Sequence, residues 1–378
     1  MIRVEPTLNA PVIEGSSIHP WADGAVRAPA GLPETPSSRM DAQESPAGPD
    51  PVLPYKGRVR GLTIILLVLL LVPSWSGEPR RVLFRRDLSV RATRFVPAGG
   101  WPARIGALRP VGALSLSARQ PGFGGFSALA LHRDHAILLN DGGNVVRLRI
   151  ARGMVRTLPG STLDDGPGTG WRKDSRDSES LVVDPASGRA WIGYERVNAI
   201  WRYAPGFGHA EAWSRPRTMR RWGENSGPEA LVRLADGRFL ALREGALRGS
   251  GPRAAALFDG DPARPGTRSA TLRYLPPDGY APSDAAVLPG GDVLVLNRRW
   301  QPPLRFDAIV VRVPAARIGA GALLRGRVIA RFGATLGGEN AEGLAVSRER
   351  GATMVWLVTD NDGAGWRRTI LAKFRLVE

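Results

Sequence analysis

A repeated pair of short apolar strands is the feature that most constrains how this chain can fold. In five segments, an acidic or small polar residue opens a short apolar strand, a turn follows, and a second apolar strand ends in a polar cluster. The segments open at Ser127, Glu179, Glu229, Asp284 and Glu342, which are 52, 50, 55 and 58 residues apart. A period of about 50 residues without helical periodicity is typical of the four-stranded blades of a β-propeller.

The length of the repeating region sets the expected number of blades. About 300 residues follow residue 77, and roughly 50 residues per blade favour six blades, with five and seven left open. Residues 81–117 are expected to supply the strands that the five obvious segments lack, and to close the ring against a C-terminal strand at residues 369–377. The sequence therefore predicts an all-β fold, a single monomeric β-propeller over residues 77–378.

The first 76 residues have a different character. Residues 1–55 are rich in Pro, Ala, Gly, Ser and Glu, and they are predicted to be disordered because they offer too little apolar surface for a core. Residues 56–76 combine basic residues, an unbroken apolar run at 62–72 and the small residues Ser74 and Ser76. This pattern is typical of a secretory signal peptide cleaved after Ser76.

An uncleaved membrane anchor at residues 61–73 is the alternative, although the apolar run is shorter than the roughly 20 residues that span a bilayer. A translation start near Val59, with the upstream tail an artefact of gene prediction, is a further hypothesis. The protein is thus expected to be exported to the periplasm or the extracellular space. We expect contact with a membrane only through an uncleaved N-terminal segment.

Composition excludes several functions. The chain has no Cys, which rules out disulfides, Cys-ligated zinc, iron–sulfur clusters and thiol catalysis. The formal net charge is +17, which could attract an anionic partner. The positive charge is nearly all Arg, however, scattered singly at strand ends and turns, and no nucleic-acid-binding module is recognisable. We therefore expect no nucleic-acid partner.

The repeat places its acids at one end of the ring. In an antiparallel hairpin, the start of the first strand lies beside the end of the second. Glu179 should therefore neighbour Glu195, as Glu229 should neighbour Glu244 and Glu342 should neighbour Asp360. If the first strands line the central channel, these acids converge on one mouth. The alternative for any single acid is that it hydrogen-bonds to the backbone of the next blade and sets its register.

Carboxylates gathered in one cavity repel each other, which raises their pKa values or recruits a cation. Oxygen ligands suit Ca²⁺ or Mg²⁺, and six to eight of them favour Ca²⁺. The predicted metal ligands are Glu179, Glu195, Glu229, Glu244, Asp284, Asn297, Glu342 and Asp360. Arg196, Arg243 and Arg298 stand at the ends of second strands, where they could hold a phosphate group.

Two segments resemble each other beyond the acid itself. Gly-Glu-Asn at 223–225 precedes Glu229-Ala230-Leu231, and Gly-Glu-Asn at 338–340 precedes Glu342-Gly343-Leu344. Together with Asp-Ser-Glu-Ser-Leu at 177–181 and Thr-Asp-Asn-Asp-Gly at 359–363, they make residues 112–378 resemble the family described as having the esterase-like activity of phytase. The resemblance implies a phytase-like propeller that hydrolyses phosphoesters with a metal. The resemblance also implies that Glu179, Glu229, Asp284 and Glu342 are the repeated acids of the family, whereas Ser127 departs from the pattern in the first blade.

The combined prediction is an exported, Ca²⁺-dependent hydrolase of a small anionic phosphomonoester or phosphodiester. Glu179, Glu229, Glu342 and Arg243 are its predicted catalytic residues, and Arg196, Arg243 and Arg298 are predicted to bind the substrate. Two alternatives stay open. One is a binding propeller without catalysis, in which a metal is structural, and the other is a lactonase-like or sugar-ester hydrolase.

Overall fold

The computed structural model describes residues 80–85, 87–151, 154–245 and 251–377. The predicted tail at 1–55 and the signal or anchor segment at 56–76 lie outside these described residues. Within them, no helix is both long enough and apolar enough to cross a bilayer. The helical content of the described residues is four short 3-10 turns, at Lys173–Arg176, Pro205–Phe207, Ala315–Arg317 and Gly333–Leu336.

The strands form five sheets, one for each blade of a propeller, and they are antiparallel except for one short parallel pair at the edge of blade 3. Two strands precede the first blade: β1 (Val90–Arg94) and β2 (Leu108–Ala118). Blade 1 consists of β3 (Phe126–His132), β4 (His135–Asn140), β5 (Asn144–Ala151) and β6 (Met154–Thr162). Blade 2 consists of β7 (Ser178–Val183), β8 (Ala190–Tyr194), β9 (Ala199–Tyr203) and β10 (Ala210–Ser214).

Blades 3 and 4 follow the same plan, and blade 3 gains a short parallel edge strand from the connection within blade 4. Blade 3 consists of β11 (Pro228–Arg233), β12 (Phe239–Arg243), β13 (Arg253–Phe258) and β14 (Ser269–Tyr274), with β18 (Leu323–Leu324) at its edge. Blade 4 consists of β15 (Ala281–Val287), β16 (Val293–Gln301), β17 (Arg305–Val313) and β19 (Arg327–Arg331).

Blade 5 is made from both ends of the described chain. Its sheet runs β20 (Asn340–Glu349), β21 (Ala352–Asp360) and β22 (Thr369–Leu376), then β2 and β1. The pairing of β2 with β22 closes the ring, as the sequence indicated. The propeller itself is confirmed, but it has five blades rather than the favoured six. The reason is that residues 81–117 complete blade 5 instead of building a separate sheet.

Apolar side chains fill the spaces between neighbouring blades. Five buried clusters correspond to the five blade interfaces; Leu129 of blade 1, for example, packs in one cluster with Trp356 of blade 5. Gly343 shows how close two inner strands come, since a Cβ atom there would lie 2.8 Å from the backbone nitrogen of Leu129. Because both faces of each sheet are covered, the middle strands are apolar on both faces.

The first strand of each blade, β3, β7, β11, β15 or β20, lines the central channel. One end of the channel holds a cavity of about 480 Å³ lined mainly by apolar side chains from the late parts of these strands, such as Leu131, Val287 and Val346. The opposite end, where the first strands begin and the second strands end, carries the predicted acids.

Closure of the ring by β2 leads to a stability prediction. Leu108 on β2 is fully buried, whereas Val111 on the same strand is 55% exposed. Leu108→Ala should lower the free energy of unfolding by about 2–5 kcal/mol, since it removes buried methyl groups and leaves a cavity. Val111→Ala should change it by less than about 0.5 kcal/mol. Urea unfolding of the two variants checks this, and equal small effects would show that β2 does not secure the ring.

Candidate functional site

Each inner strand contains a β-bulge near its start. In β11, Pro228 pairs with Arg243 and Ala230 pairs with Leu242, so that Glu229 between them has no partner of its own. The same irregularity occurs in the other four first strands. A bulge leaves one residue of the strand unpaired and changes the direction of its side chain. The five bulged residues are Ser127, Glu179, Glu229, Ser283 and Glu342.

On each second strand, one residue comes directly after the partner of the residue that precedes the bulge. These residues form a second set of five. By register, these are Asp141, Glu195, Glu244, Arg298 and Asp360. Four are acids, and the fifth is an arginine in blade 4. The two sets together form one charged end of the channel, which we call the acidic mouth. Glu195 and Glu244 act on the pKa values of Glu179 and Glu229, as expected for side-by-side positions.

The blade 2 side of the acidic mouth brings three carboxylates together. One oxygen each of Asp177, Glu179 and Glu195 lies within 4.8 Å of the others. Asp177 also accepts a hydrogen bond from Nε of Arg196 at 3.1 Å. Gly227 packs closely against Glu195, where a Cβ atom would lie 2.4 Å from its Cα. A metal ion can take oxygen ligands from a cluster of this spacing.

The loop that carries Asp177 is held by a buried arginine. Arg176 is 2% exposed, and its guanidinium donates to the backbone carbonyls of Leu163, Asp164 and Ser175 at 2.9, 2.5 and 3.1 Å. Buried charge is tolerated when its donors are satisfied in this way. Arg176 therefore fixes the segment that presents Asp177 beside Glu179.

Arg298 occupies the other side of the acidic mouth. Its guanidinium forms ion pairs with Glu244 of blade 3, at 2.8 Å, and with Glu342 of blade 5. Asn340 also donates to Glu342 at 2.7 Å. Burial alone would lower the pKa of Arg298, but Glu342 and Glu244 outweigh it and raise that pKa. A fixed positive charge thus joins three blades and balances the acids there.

The acids resist ionisation, chiefly because they are buried. Burial, with Asp177 as the next cause, raises the pKa of Glu195 to about 7. Burial, followed by Asp362, raises the pKa of Asp360 to about 7. Burial raises the pKa of Glu342 to about 8, although Arg298 opposes it. The pKa values of Glu179 and Glu229 are raised well above the usual range, first by burial and then by neighbouring carboxylates.

Two predicted ligands are engaged elsewhere. In β15, Ser283 occupies the bulge and Asp284 follows it. The predicted equivalence of Asp284 with the other repeated acids is therefore wrong by one residue. The carboxylate of Asp284 is buried and accepts backbone N–H groups of Ala285 and Leu344, both at 2.7 Å. Asp284 thus follows the alternative given for a single acid in the sequence analysis, because its carboxylate hydrogen-bonds to the backbone of the next blade. Asn297 is fully buried and accepts a hydrogen bond from the Tyr274 hydroxyl at 3.0 Å.

The three predicted phosphate-binding arginines differ in their partners. Arg298 pairs with Glu244 and Glu342, and Arg196 lies beside Asp177 and Asp174. In the part of the chain that the structure describes, the buried Nε of Arg243 has no hydrogen-bond partner. Oδ1 of Asp360 is likewise buried without one. Unsatisfied buried polar atoms are costly, and a bound group that satisfies them is a common explanation.

Sequence reasoning missed three contributors to the site. Asp177 lies two residues before Glu179, within a motif that was noted for its resemblance alone. Asp141 ends the second strand of blade 1, in a polar cluster equivalent to those that supply Glu195 and Glu244. Its partner Lys173, at 2.5 Å, comes from a loop with no repeat signal. The repeat alignment could have identified Asp141, but not Lys173 and not Asp177, whose equivalent positions in the other blades carry no acid.

A family model described as "Phytase-like: Esterase-like activity of phytase" matches residues 121–363. The chain belongs to this family. The match covers all five first strands and both sets of residues at the acidic mouth, whereas β1, β2 and β22 of blade 5 lie outside it. No curated protein matches the chain.

Solved structures with a similar fold are distant in sequence. The phytase-like chain is 13% identical to glutaminyl cyclase from Myxococcus xanthus, with a TM-score of 0.42 over 80% of this chain and 100% of that chain. It is 9% identical to an α-L-arabinanase from Cellvibrio cellulosa, with a TM-score of 0.41 over 66% and 90%. It is 12% identical to the major Malassezia sympodialis allergen, with a TM-score of 0.40 over 71% and 88%.

The raised pKa values predict how stability depends on pH. Glu195 and Asp360 have folded-state pKa values of about 7, against roughly 4 when unfolded. The stability that their protonated forms contribute is present below about pH 4 and lost as pH rises through 7. In chelator, the double variant Glu195→Gln/Asp360→Asn should therefore melt several degrees higher than the wild type at pH 8. The difference in melting temperature between the variant and the wild type should be smaller at pH 5.

Thermal melting of both proteins from pH 5 to 8 measures this difference. A gap that stays constant over that range would contradict the shifted pKa values. Comparing the two proteins cancels the effect of groups elsewhere in the chain that titrate over the same interval.

Proposed function

We propose that this phytase-like propeller is a Ca²⁺-dependent hydrolase of small phosphoesters and that the acidic mouth is its active site. The observation that carries the proposal is the cluster of Asp177, Glu179 and Glu195, with one oxygen of each within 4.8 Å of the others. It lies close to the buried Glu229, which acts on the pKa of Glu179. Family membership supports the same reaction class.

The available ligands fit a hard divalent cation. All are carboxylate oxygens, which suit Ca²⁺ and Mg²⁺ better than softer metals. Glu229, Glu244 and Asp360 are further predicted ligands around the mouth. Bound there, Ca²⁺ would polarise a phosphoryl oxygen and lower the pKa of a coordinated water. The pKa values of Glu195, Glu229 and Asp360 are raised without a metal, and a cation favours their ionised forms.

The side chains themselves have separate tasks. Glu229 is buried and Glu179 is half-buried, and the raised pKa of each carboxyl suits a group that accepts a proton from the attacking water. Glu342 is oriented by Arg298 and Asn340, and it keeps the positive charge of Arg298 at the mouth. Arg243, whose buried Nε has no hydrogen-bond partner among the described residues, and Arg196, which pairs with Asp177, are the proposed phosphate ligands.

Neutralising the central acids should abolish metal-dependent turnover. Glu179→Gln and Glu229→Gln should each reduce kcat at least about 100-fold, because general-base catalysis typically contributes that much or more. Glu349→Gln is the matched control, since Glu349 pairs with Lys373 at the other end of β20. Initial rates on aryl phosphomonoester and phosphodiester substrates, with Ca²⁺ and with chelator, measure the effect. Unchanged rates in both mouth variants would show that the active site lies elsewhere in the protein.

Arg243 provides a test of phosphate binding. Arg243→Ala should lower kcat/KM about 10- to 100-fold, mainly through KM, since a charge-assisted hydrogen bond is worth about 1.5–3 kcal/mol. Arg233→Ala, at the late end of the same blade's first strand, should leave KM unchanged. A loss of the same size for a neutral ester substrate would argue against a phosphate-binding role.

Calcium dependence and substrate class are tested separately. Ca²⁺ should raise the melting temperature of the wild type and leave that of Glu179→Gln nearly unchanged. Stabilisation by Ca²⁺ without turnover of any ester would indicate a binding propeller with a structural metal. Turnover of lactones but not of phosphoesters would select the lactonase-like alternative.

A further inference from the structure

Large apolar side chains are exposed around the acidic mouth. Of the nine exposed large hydrophobic residues in the described part of the chain, five lie in segments at this end of the propeller. They are Val82, Leu83, Trp171, Leu304 and Trp366, and each is 49% to 78% exposed. Their segments are the N-terminal stretch over blade 1, the loop before β7, the β16–β17 turn and the loop before β22. We call this set the apolar rim.

Each segment of the apolar rim also carries at least one arginine close to its exposed apolar residue. Arg80 and Arg85 flank Val82 and Leu83, and Arg172 follows Trp171. Arg305 follows Leu304, and Arg368 lies two residues after Trp366; all five of these arginines are exposed. The acids of the mouth are more deeply placed, with Glu229 only 4% exposed. The rim segments therefore expose apolar and basic side chains, together with the acids Asp164, Asp165 and Asp362 in the loops before β7 and β22.

The N-terminal part of the rim is fastened to the propeller. The Arg81 backbone N–H donates to the carbonyl of Trp171 at 2.9 Å, and its side chain donates to the carbonyls of Gly142 and Gly143. The Phe84 N–H donates to Asn144 at 2.9 Å. The stretch that carries Val82 and Leu83 is therefore held against blade 1 and the loop before β7.

A basic groove lies next to the same segment. Its volume is about 660 Å³, and its lining includes Arg85, Arg91 and Arg119. One acid, Asp87, shares the groove and approaches Arg85 at 3.3 Å. Both of those side chains are exposed, where an ion pair contributes little. The groove therefore keeps a positive excess suited to phosphate groups.

We propose that the apolar rim is a membrane-binding surface that docks the acidic mouth against a bilayer containing anionic lipids. Tryptophan is favoured at the boundary between headgroups and acyl chains, while arginine places its stem in apolar surroundings and its charge among phosphates. Exposed apolar residues interspersed with basic ones match such a surface in both polarity and charge. The proposal is independent of whether the mouth hydrolyses anything.

Hydrogen–deuterium exchange of the full chain tests which surface the bilayer covers. Vesicles of phosphatidylcholine with 30% phosphatidylglycerol should slow exchange in residues 119–125, 163–172 and 361–368. The turns at the other end, residues 133–134 and 184–189, should be unaffected. Neutral phosphatidylcholine vesicles should give weaker protection. Vesicle binding without protection of the rim would overturn the proposal, because the chain would then be held only through residues outside the described structure.

Substitutions in the rim complete the test. Trp171→Ala/Trp366→Ala should remove most of the rim protection and weaken sedimentation with anionic vesicles at least about tenfold. The control is Trp213→Ala, which removes a 54% exposed tryptophan stacked on Trp201 at the outer edge of blade 2. An equal effect of the control would overturn the proposal, as would protection of the rim by an acidic polypeptide such as polyglutamate but not by vesicles.

Discussion

The β-bulge at the start of each inner strand is the constraint on which the arrangement of this site depends. A regular antiparallel strand would turn successive side chains to opposite faces of its sheet. One extra residue per strand breaks that alternation once in each blade and presents one side chain at the mouth of the channel. Where that residue is a serine it binds the next blade, as Ser127 binds the carbonyl of Ser178 at 2.6 Å. Where it is Glu179, Glu229 or Glu342, it leaves a carboxyl group at the mouth.

So many acids in one place are tolerated because their charge is reduced in two ways. On one side, Arg298 shares its guanidinium between carboxylates from the two flanking blades. On the other, burial raises the pKa values of Asp177, Glu179 and Glu195, although Arg196 pairs with Asp177 at the edge of this cluster. The charge balance that Arg298 provides in blades 3 to 5 is thus only partly matched on the blade 2 side. This asymmetry is the reason why we propose the metal site on the blade 2 side of the ring.

The sequence predicted the propeller and the end of it that carries the acids, because both follow from a repeat and from the geometry of hairpins. It did not determine the number of blades: it predicted that residues 81–117 close the ring against the C-terminal strand, but not that they extend the fifth sheet instead of building a sixth. Asp284 was aligned one residue out of phase, because a bulge depends on which residues pair and pairing is not visible in the order of residue types. Asp177 was missed for a related reason: it lies before the strand, and it reaches the site only through the loop that Arg176 holds.

Closure of the ring by strands from both ends of the chain also decides when the site can exist. Glu342 and Asp360 belong to blade 5, whose sheet requires both β2 and β22. During synthesis, the acids of blades 1 to 3 emerge early, but the blade that completes the mouth cannot assemble until β22 is available. Such long-range pairing is slow to form. The complete mouth therefore forms later than the blades that carry most of its acids.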